Sequence, residues 1–145
     1  MAKLVLNMKD MQDDFFADTA MIGIATAMPG YHFCWVLNNH FDIGFERDPE
    51  QNISSQKKEN QYHFPIYQYA FPNSSYKYML YKLKNGAESL LPETKQLDYL
   101  WVVQTADPEC DAREIALELK NIPDIQFAQI ITTDQLKKSI QNLLV

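Results

Sequence analysis

Alternating apolar positions predict a strand most clearly at residues 97–104. The residues at odd positions of this segment are all apolar and share one face of a strand: Leu97, Tyr99, Trp101 and Val103. Leu100 and Val102 fall on the opposite face, because successive side chains of a strand point to opposite sides. Since both faces are apolar, we expect this strand to lie inside a sheet that is covered on both sides.

A helix is predicted directly after this strand. Asp107 is followed by Pro108, which is the order of an N-cap residue and a first helical position. Apolar residues then recur at the helical spacing i, i+3, i+4, i+7: Ala112, Ile115, Ala116 and Leu119. Pro123 ends this helix, and the alternation over 125–131 predicts a further strand.

A second pairing of strand and helix is predicted nearer the N-terminus. Segment 17–27 contains Gly23 and alternating β-branched residues, which favours a buried strand, and Pro29 suits the first turn of a helix over 30–41. The apolar side chains of that helix form two adjacent stripes: Tyr31, Cys34 and Trp35, and beside them Phe33, Val36, Leu37 and Phe41. So broad an apolar face predicts either deep packing or a subunit contact.

The remaining segments predict shorter elements. Further strands are expected at the following positions: 3–8, 43–48, 62–71 and 76–84. Turns are expected at 72–75 and at Asn85-Gly86, and a last helix is expected to begin near Thr132. The acid-rich segment 10–18 predicts a solvated turn, and the polar segment 49–61 predicts a mobile surface loop.

This order of elements indicates two β-α-β units joined by extra strands. We therefore predict an α+β fold, ferredoxin-like or a related mostly antiparallel sheet with helices packed on one face. The chain has 145 residues, which is the usual size of one domain, so we predict a single globular domain over 1–145.

Composition narrows the functional classes. Lys and Arg number 13 against 19 Asp and Glu, which gives a formal net charge of −6. A nucleic-acid partner is not expected, because such proteins carry basic patches. Cys34 and Cys110 form no metal-binding pair, and no run of residues is apolar enough for a signal peptide or a membrane span. We expect a cytoplasmic protein without a membrane partner, a metal or another cofactor.

The segment from Leu91 to Tyr99 resembles a known signature. Its residues Pro92, Glu93, Asp98 and Tyr99, with Leu91 and Leu97 as conservative replacements, are similar to the motif of the IPExxxVDY family, a bacterial family named for it. The resemblance covers most of the chain through the similar order of its elements. It implies a family assignment and neither an activity nor a ligand.

The same motif can be interpreted from its chemistry. Pro92 holds the chain extended, and Glu93 can accept hydrogen bonds from free N–H groups of a turn. Asp98 opens the strand and needs partners, for which Arg47, Lys95 or backbone N–H groups are candidates. A structural turn is the simpler interpretation. The alternative is a hydrolase or lyase that uses Glu93 and Asp98 as paired carboxylates.

Tyrosines are concentrated in the two strands predicted between 62 and 84. Six of the eight fall within 20 residues: Tyr62, Tyr67, Tyr69, Tyr76, Tyr78 and Tyr81. Tyrosine is favoured at protein interfaces, although ordinary cross-strand pairing also accounts for such a cluster.

The sequence also lacks the common signatures of catalysis. The spacing of His32, His40 and His63 fits no metal motif, and no phosphate-binding or serine-hydrolase motif is present. We therefore predict a non-enzymatic interaction or scaffold module, a homodimer formed through the aromatic sheet surface. A small-ligand-binding regulatory domain of ACT-like design is the other alternative, on analogy of fold alone.

Overall fold

A computed structural model gives the fold over most of the chain. It describes residues 19–47, 53–57, 60–85, 88–89 and 96–131, and it describes the backbone alone for 53–57, 60–63, 85 and 88–89. Three predictions lie outside these residues: the strand at 3–8, the turn at 10–18 and the helix after Ile131.

Ten strands and two helices lie within the described residues. The strands are β1 Ala20–Thr26, β2 Glu46–Arg47, β3 Ile53–Lys57, β4 Asn60–Phe64, β5 Ile66–Ala70, β6 Lys77–Lys82, β7 Lys84–Asn85, β8 Glu88–Ser89, β9 Tyr99–Gln104 and β10 Ile125–Ile131. The helices are α1 Gly30–Phe41 and α2 Pro108–Leu119.

Six of these strands form one antiparallel sheet in the order β10-β1-β9-β6-β5-β2. β1 lies between two strands from the last third of the described chain, since Ile22 is paired with Trp101 of β9 and with Ile130 of β10. Two smaller hairpins, β3-β4 and β7-β8, form separate two-stranded sheets. The second hairpin pairs Lys84 with Ser89 and Asn85 with Glu88, which agrees with the hairpin that Asn85-Gly86 predicts, and the turn itself lies outside the described residues.

Both helices begin where the sequence predicts. Pro29 occupies the N-cap position of α1, and the helix ends at Asp42, whose left-handed backbone lets its N–H donate to the Asn38 carbonyl. The Asp107 carboxylate accepts from the backbone N–H of Cys110 and caps α2. His40 Nε2 lies 3.1 Å from Glu118 Oε2 and joins the exposed sides of the two helices.

Two buried clusters lie on opposite faces of the sheet. The larger contains the inner sides of α1 and α2 and the odd-numbered residues of β9, so both described helices pack on one face. Trp101 and Val103 in this cluster are fully buried. The smaller cluster lies on the other face, around Leu100 and Val102. The expectation that β9 is covered on both sides is therefore confirmed.

The fold class is α+β, as predicted. β9, α2 and β10 form a β-α-β unit whose two strands are separated by β1. Three strands, β9, β6 and β5, lie between β1 and β2, which is a wider arrangement than a four-stranded ferredoxin-like sheet contains.

Two local predictions are corrected. Segment 49–61 contains β3 and the first two residues of β4, and these two strands pair from Ile53 with Phe64 to Lys57 with Asn60. The polar composition concealed them, because the ladder of a hairpin is made by backbone groups whatever the side chains are. Leu97 packs with Leu100 rather than with Trp101, since it lies before the first residue of β9 and outside the alternation of the strand.

Candidate functional site

The Asp98 carboxylate connects the start of β9 to the end of β1, where the segment that leads to α1 begins. Its Oδ2 accepts from the backbone N–H of Thr26 at 2.9 Å, and its Oδ1 lies 3.1 Å from Lys84 Nζ. The Asp98 N–H also donates to the Ile24 carbonyl at 2.8 Å. A backbone N–H was among the predicted partners, and the cation is Lys84 rather than the predicted Arg47; Lys95, the other predicted cation, lies outside the described residues.

Tyr99 holds the same segment from the side of the core. Its hydroxyl donates to the Met28 carbonyl at 2.8 Å, and its ring packs on Phe33 with ring centroids 4.5 Å apart. Burial raises the pKa of the Tyr99 hydroxyl, so this group stays a neutral donor. Thr26 adds a third connection, because its hydroxyl donates to the Asp124 carbonyl at 2.8 Å.

A small cleft opens beside these residues. It holds about 200 Å³ and is lined by Thr26, Met28, Lys82, Lys84 and Asp98 among others. Ligand pockets usually hold roughly 300–1,000 Å³, so the cleft is small for a substrate. The Asp98 carboxylate already has a backbone donor and an ammonium group, which favours the structural interpretation of this residue. Pro92 and Glu93 lie outside the described residues, and the proposed carboxylate pair stays a prediction.

The six clustered tyrosines do not form one surface. Tyr67 and Tyr81 are buried on opposite faces of the sheet, where burial raises the pKa of each hydroxyl. Tyr67 packs on the first residue of α1, since a methyl group on Gly30 would collide with its hydroxyl. Neither residue can therefore contribute to a contact surface. The side chain of Tyr62 is outside the described part of the structure.

Two of the other three tyrosines, Tyr69 and Tyr78, pack against the larger cluster. Tyr69 and Tyr78 are paired across β5 and β6, and Phe71 packs edge-on against both rings at 5.1 and 4.9 Å. The Tyr78 ring also packs against the buried ring of Trp101, with 5.3 Å between the ring centroids. Tyr76 is 43% exposed. These contacts are the cross-strand pairing that the sequence allowed as an alternative, and Tyr76 is the most exposed of the five clustered tyrosines whose side chains are described.

Among the side chains that the structure describes, the most exposed aromatic ones lie on α1. Tyr31 is 79% exposed and Trp35 is 63% exposed, and His32 stacks on Trp35 with an angle of 13° between the rings. We call Tyr31, His32, Trp35 and Asn39 the outer face of α1. Tryptophan is among the residues most often found at the centre of protein interfaces, and an exposed one is unusual on a monomer.

The sequence predicts this helix, but it does not show which of its side chains are exposed to solvent. The width of its apolar stripes indicated either deep packing or a subunit contact. Phe33 and Leu37 are fully buried and Cys34 is 6% exposed, so the sheet covers one stripe and part of the other. The exposure of Trp35 follows from how α1 is rotated on the sheet, which the helical spacing alone does not determine.

The two helices differ in charge on their exposed sides. α1 contains no Asp, Glu, Lys or Arg, whereas α2 contains Glu109, Asp111, Arg113, Glu114 and Glu118. The outer face of α1 is thus an aromatic surface without formal charge in a chain whose net charge is −6.

Comparisons with known proteins add no assignment. The sequence matches no protein-family model and no curated protein. The resemblance to the IPExxxVDY family therefore stays a prediction. Within the part of the chain that the structure describes, no helix has the length and apolar character needed to cross a bilayer, and no three acidic, histidine or cysteine side chains come together as metal ligands.

Proposed function

We propose that this protein is a small cytoplasmic interaction module, without catalytic activity, that forms a homodimer through the outer face of α1. The observation that carries the proposal is the exposure of Trp35 and Tyr31 on a helix that bears no formal charge. We propose this contact instead of the predicted dimer contact through the tyrosine-rich strands, because Tyr67 and Tyr81 are buried.

Charge favours a second copy of the chain as the partner. Two molecules of net charge −6 repel each other across most of their surfaces. A symmetric dimer places the same patch of both copies in contact, so an uncharged patch meets no like charge. The ring of Trp35 and the imidazole of His32 can pack face to face or edge to face with their symmetry mates.

The size of the helix limits the strength of this contact. A helix of 12 residues is about 18 Å long, and its exposed side is about 10 Å wide. Such a face is only part of the roughly 800 Å² that each partner contributes to a standard interface. We therefore expect α1 to form the centre of a weak dimer with a dissociation constant in the micromolar range.

Sedimentation velocity over about 1–200 µM protein tests the proposal, a range chosen to span micromolar dissociation constants. The wild type should shift from monomer to dimer, and Trp35→Ala should weaken the dimer about tenfold or more, as expected for a central aromatic residue. Leu117→Ala is the matched control, because Leu117 is 64% exposed on α2 and should not affect this equilibrium. A wild type that stays monomeric, or equal effects of the two substitutions, would refute the proposal.

A further inference from the structure

The two edges of the six-stranded sheet are built differently. β2 is one edge, and it consists of two exposed charged residues, Glu46 and Arg47. β10 is the other edge, and its seven residues, Ile-Gln-Phe-Ala-Gln-Ile-Ile, include neither a charged residue nor a proline. Proteins usually protect sheet edges by shortness, charge or proline, because the free backbone groups of an edge can pair with another chain. β2 has this protection, and β10 lacks it.

A groove runs between β10 and α2. Its volume is about 680 Å³, and its lining includes Ala116 and Leu117 of α2 and Phe127 and Ala128 of β10. Leu117 is 64% exposed and Phe127 is 39% exposed. The groove therefore offers apolar side chains beside a strand that, among the described strands, is paired on one side alone, with β1.

The charge of the groove indicates the chemistry of its occupant. Arg113 and Lys120 line it, and none of its described lining residues is acidic. The whole chain has more acidic than basic residues, so a groove whose described charged residues are both basic is distinctive. A second copy of the chain would bring the same two cations against each other, which disfavours self-pairing at this edge. An acidic occupant would complement them.

The spacing of the two cations defines the occupant further. Arg113 and Lys120 are seven residues apart, which is about two helical turns and roughly 10 Å along one side of α2. In an extended peptide, residues i and i+4 lie on the same side and are about 13 Å apart. The long side chains of arginine and lysine can accommodate the difference. The residue at i+2 would then face the apolar part of the groove.

We propose that the groove between α2 and β10 binds an extended segment of a partner protein that pairs with β10 as an added strand. The segment carries two acidic residues four positions apart with an apolar residue midway between them. Backbone hydrogen bonds to β10 fix the register of the bound segment. Its alternating side chains supply specificity through their contacts with Arg113, Lys120 and Leu117. This site is independent of the outer face of α1.

Fluorescence anisotropy with the full chain tests the proposal. The probe is a labelled peptide, Thr-Glu-Thr-Leu-Thr-Glu-Thr, blocked at both ends, and the matched control has lysine in place of both glutamates. The acidic peptide should bind more tightly, and its binding should weaken as ionic strength rises from about 0.05 to about 0.5 M. Equal binding of the two peptides, or no binding of either at about 1 mM protein, the weak end of specific recognition, would overturn the proposal.

Charge reversal locates the site. The double change Arg113→Glu and Lys120→Glu should weaken binding of the acidic peptide roughly tenfold or more and favour the basic peptide. Both residues are exposed, so the core is unaffected. The change Arg47→Glu with Lys77→Glu alters the net charge equally away from the groove and should preserve the preference. Equal effects of both double variants would refute the site.

Two further measurements separate this proposal from self-association. Trp35→Ala should leave peptide binding unchanged, because Trp35 lies on α1 and not in the groove. Gln129→Lys places a charge on β10. If light scattering shows a wild-type dimer that Gln129→Lys disrupts and Trp35→Ala preserves, the groove holds a second copy and the peptide proposal is wrong.

Discussion

Replacing Trp101 by alanine would remove the centre of the larger buried cluster. Trp101 lies in the middle of β9, is fully buried and is paired with Ile22 and Leu80 on the two neighbouring strands. Three aromatic rings meet it edge-on with centroids 5.2 to 5.3 Å away: Phe41, Phe45 and Tyr78. These rings come from different elements, so the substitution would affect contacts between the sheet and the segment around α1.

The expected loss in the free energy of unfolding is about 4 kcal/mol. A buried tryptophan replaced by alanine costs about 3–5 kcal/mol through lost burial and the cavity that is left. The edge-on ring contacts favour the upper part of this range. The indole N–H of Trp101 is buried and has no hydrogen-bond partner among the described residues, so its removal offsets part of the loss in the free energy of unfolding. Trp101→Phe removes that N–H, keeps an aromatic ring and should cost only about 1–2 kcal/mol.

Urea denaturation followed by circular dichroism measures these differences. Tryptophan fluorescence is unsuitable, because the remaining Trp35 is already 63% exposed and its emission would change little on unfolding. In thermal unfolding, Trp101→Ala should lower Tm by about 8–16 °C, at roughly 2–4 °C per kcal/mol for a chain of this size.

Trp35→Ala provides the matched control, since the same atoms are removed from an exposed position. It should change the free energy of unfolding by less than about 0.5 kcal/mol at protein concentrations where the chain is monomeric. A loss below about 1 kcal/mol for Trp101→Ala, or equal losses at both tryptophans, would show that Trp101 is not the centre of the core.

Three further predictions concern single contacts. Asp98→Asn removes the ion pair with Lys84 and weakens the hydrogen bond from the Thr26 backbone N–H. Urea denaturation should therefore show a free energy of unfolding that is lower by about 1–2 kcal/mol, and the loss should be smaller in high salt. Gly23→Ala places a methyl carbon 2.5 Å from Leu97 Cδ1 and should lower the free energy of unfolding by about 1–3 kcal/mol. An unchanged free energy of unfolding would mean that the Leu97 side chain moves aside freely. Burial raises the pKa of the Cys34 thiol to about 12, so the unfolded chain ionises first and stability should fall as pH rises from about 9 to about 12. An equal fall in Cys34→Ala would contradict this assignment.

Local patterns predicted the parts of the fold that depend on local rules. β9 follows from the alternation of 97–104, and α2 follows from Asp107, Pro108 and the spacing after them. Each of these signals has a direct physical cause in strand or helix geometry. The α+β class follows from the order of such elements and is confirmed.

The errors arose where tertiary packing decides the outcome. Alternation shows which tyrosines share a face of a strand, and it does not show whether that face is covered. Tyr67 and Tyr81 lie on opposite faces and both are buried, because the sheet is covered on both sides. The strand β3 and the first two residues of β4 are missing from the prediction because pairing of polar residues leaves no hydrophobic pattern.

The candidate sites were less predictable than the fold. Asp98 was recognised as a residue that needs partners, and its partner Lys84 lies on a different strand from the predicted cation Arg47. The exposure of Trp35 depends on the rotation of α1, and the groove beside β10 depends on the strand order. Neither property is encoded in a short segment.

The position of β1 has a consequence for synthesis of the chain. Both of its neighbours in the sheet, β9 and β10, are translated after residue 98. At about 5–20 residues per second, an emerging β1 waits roughly 5–20 s before its second neighbour leaves the ribosome. During that interval its apolar residues are available to chaperones or to other nascent chains, so premature termination before β9 should yield an insoluble product.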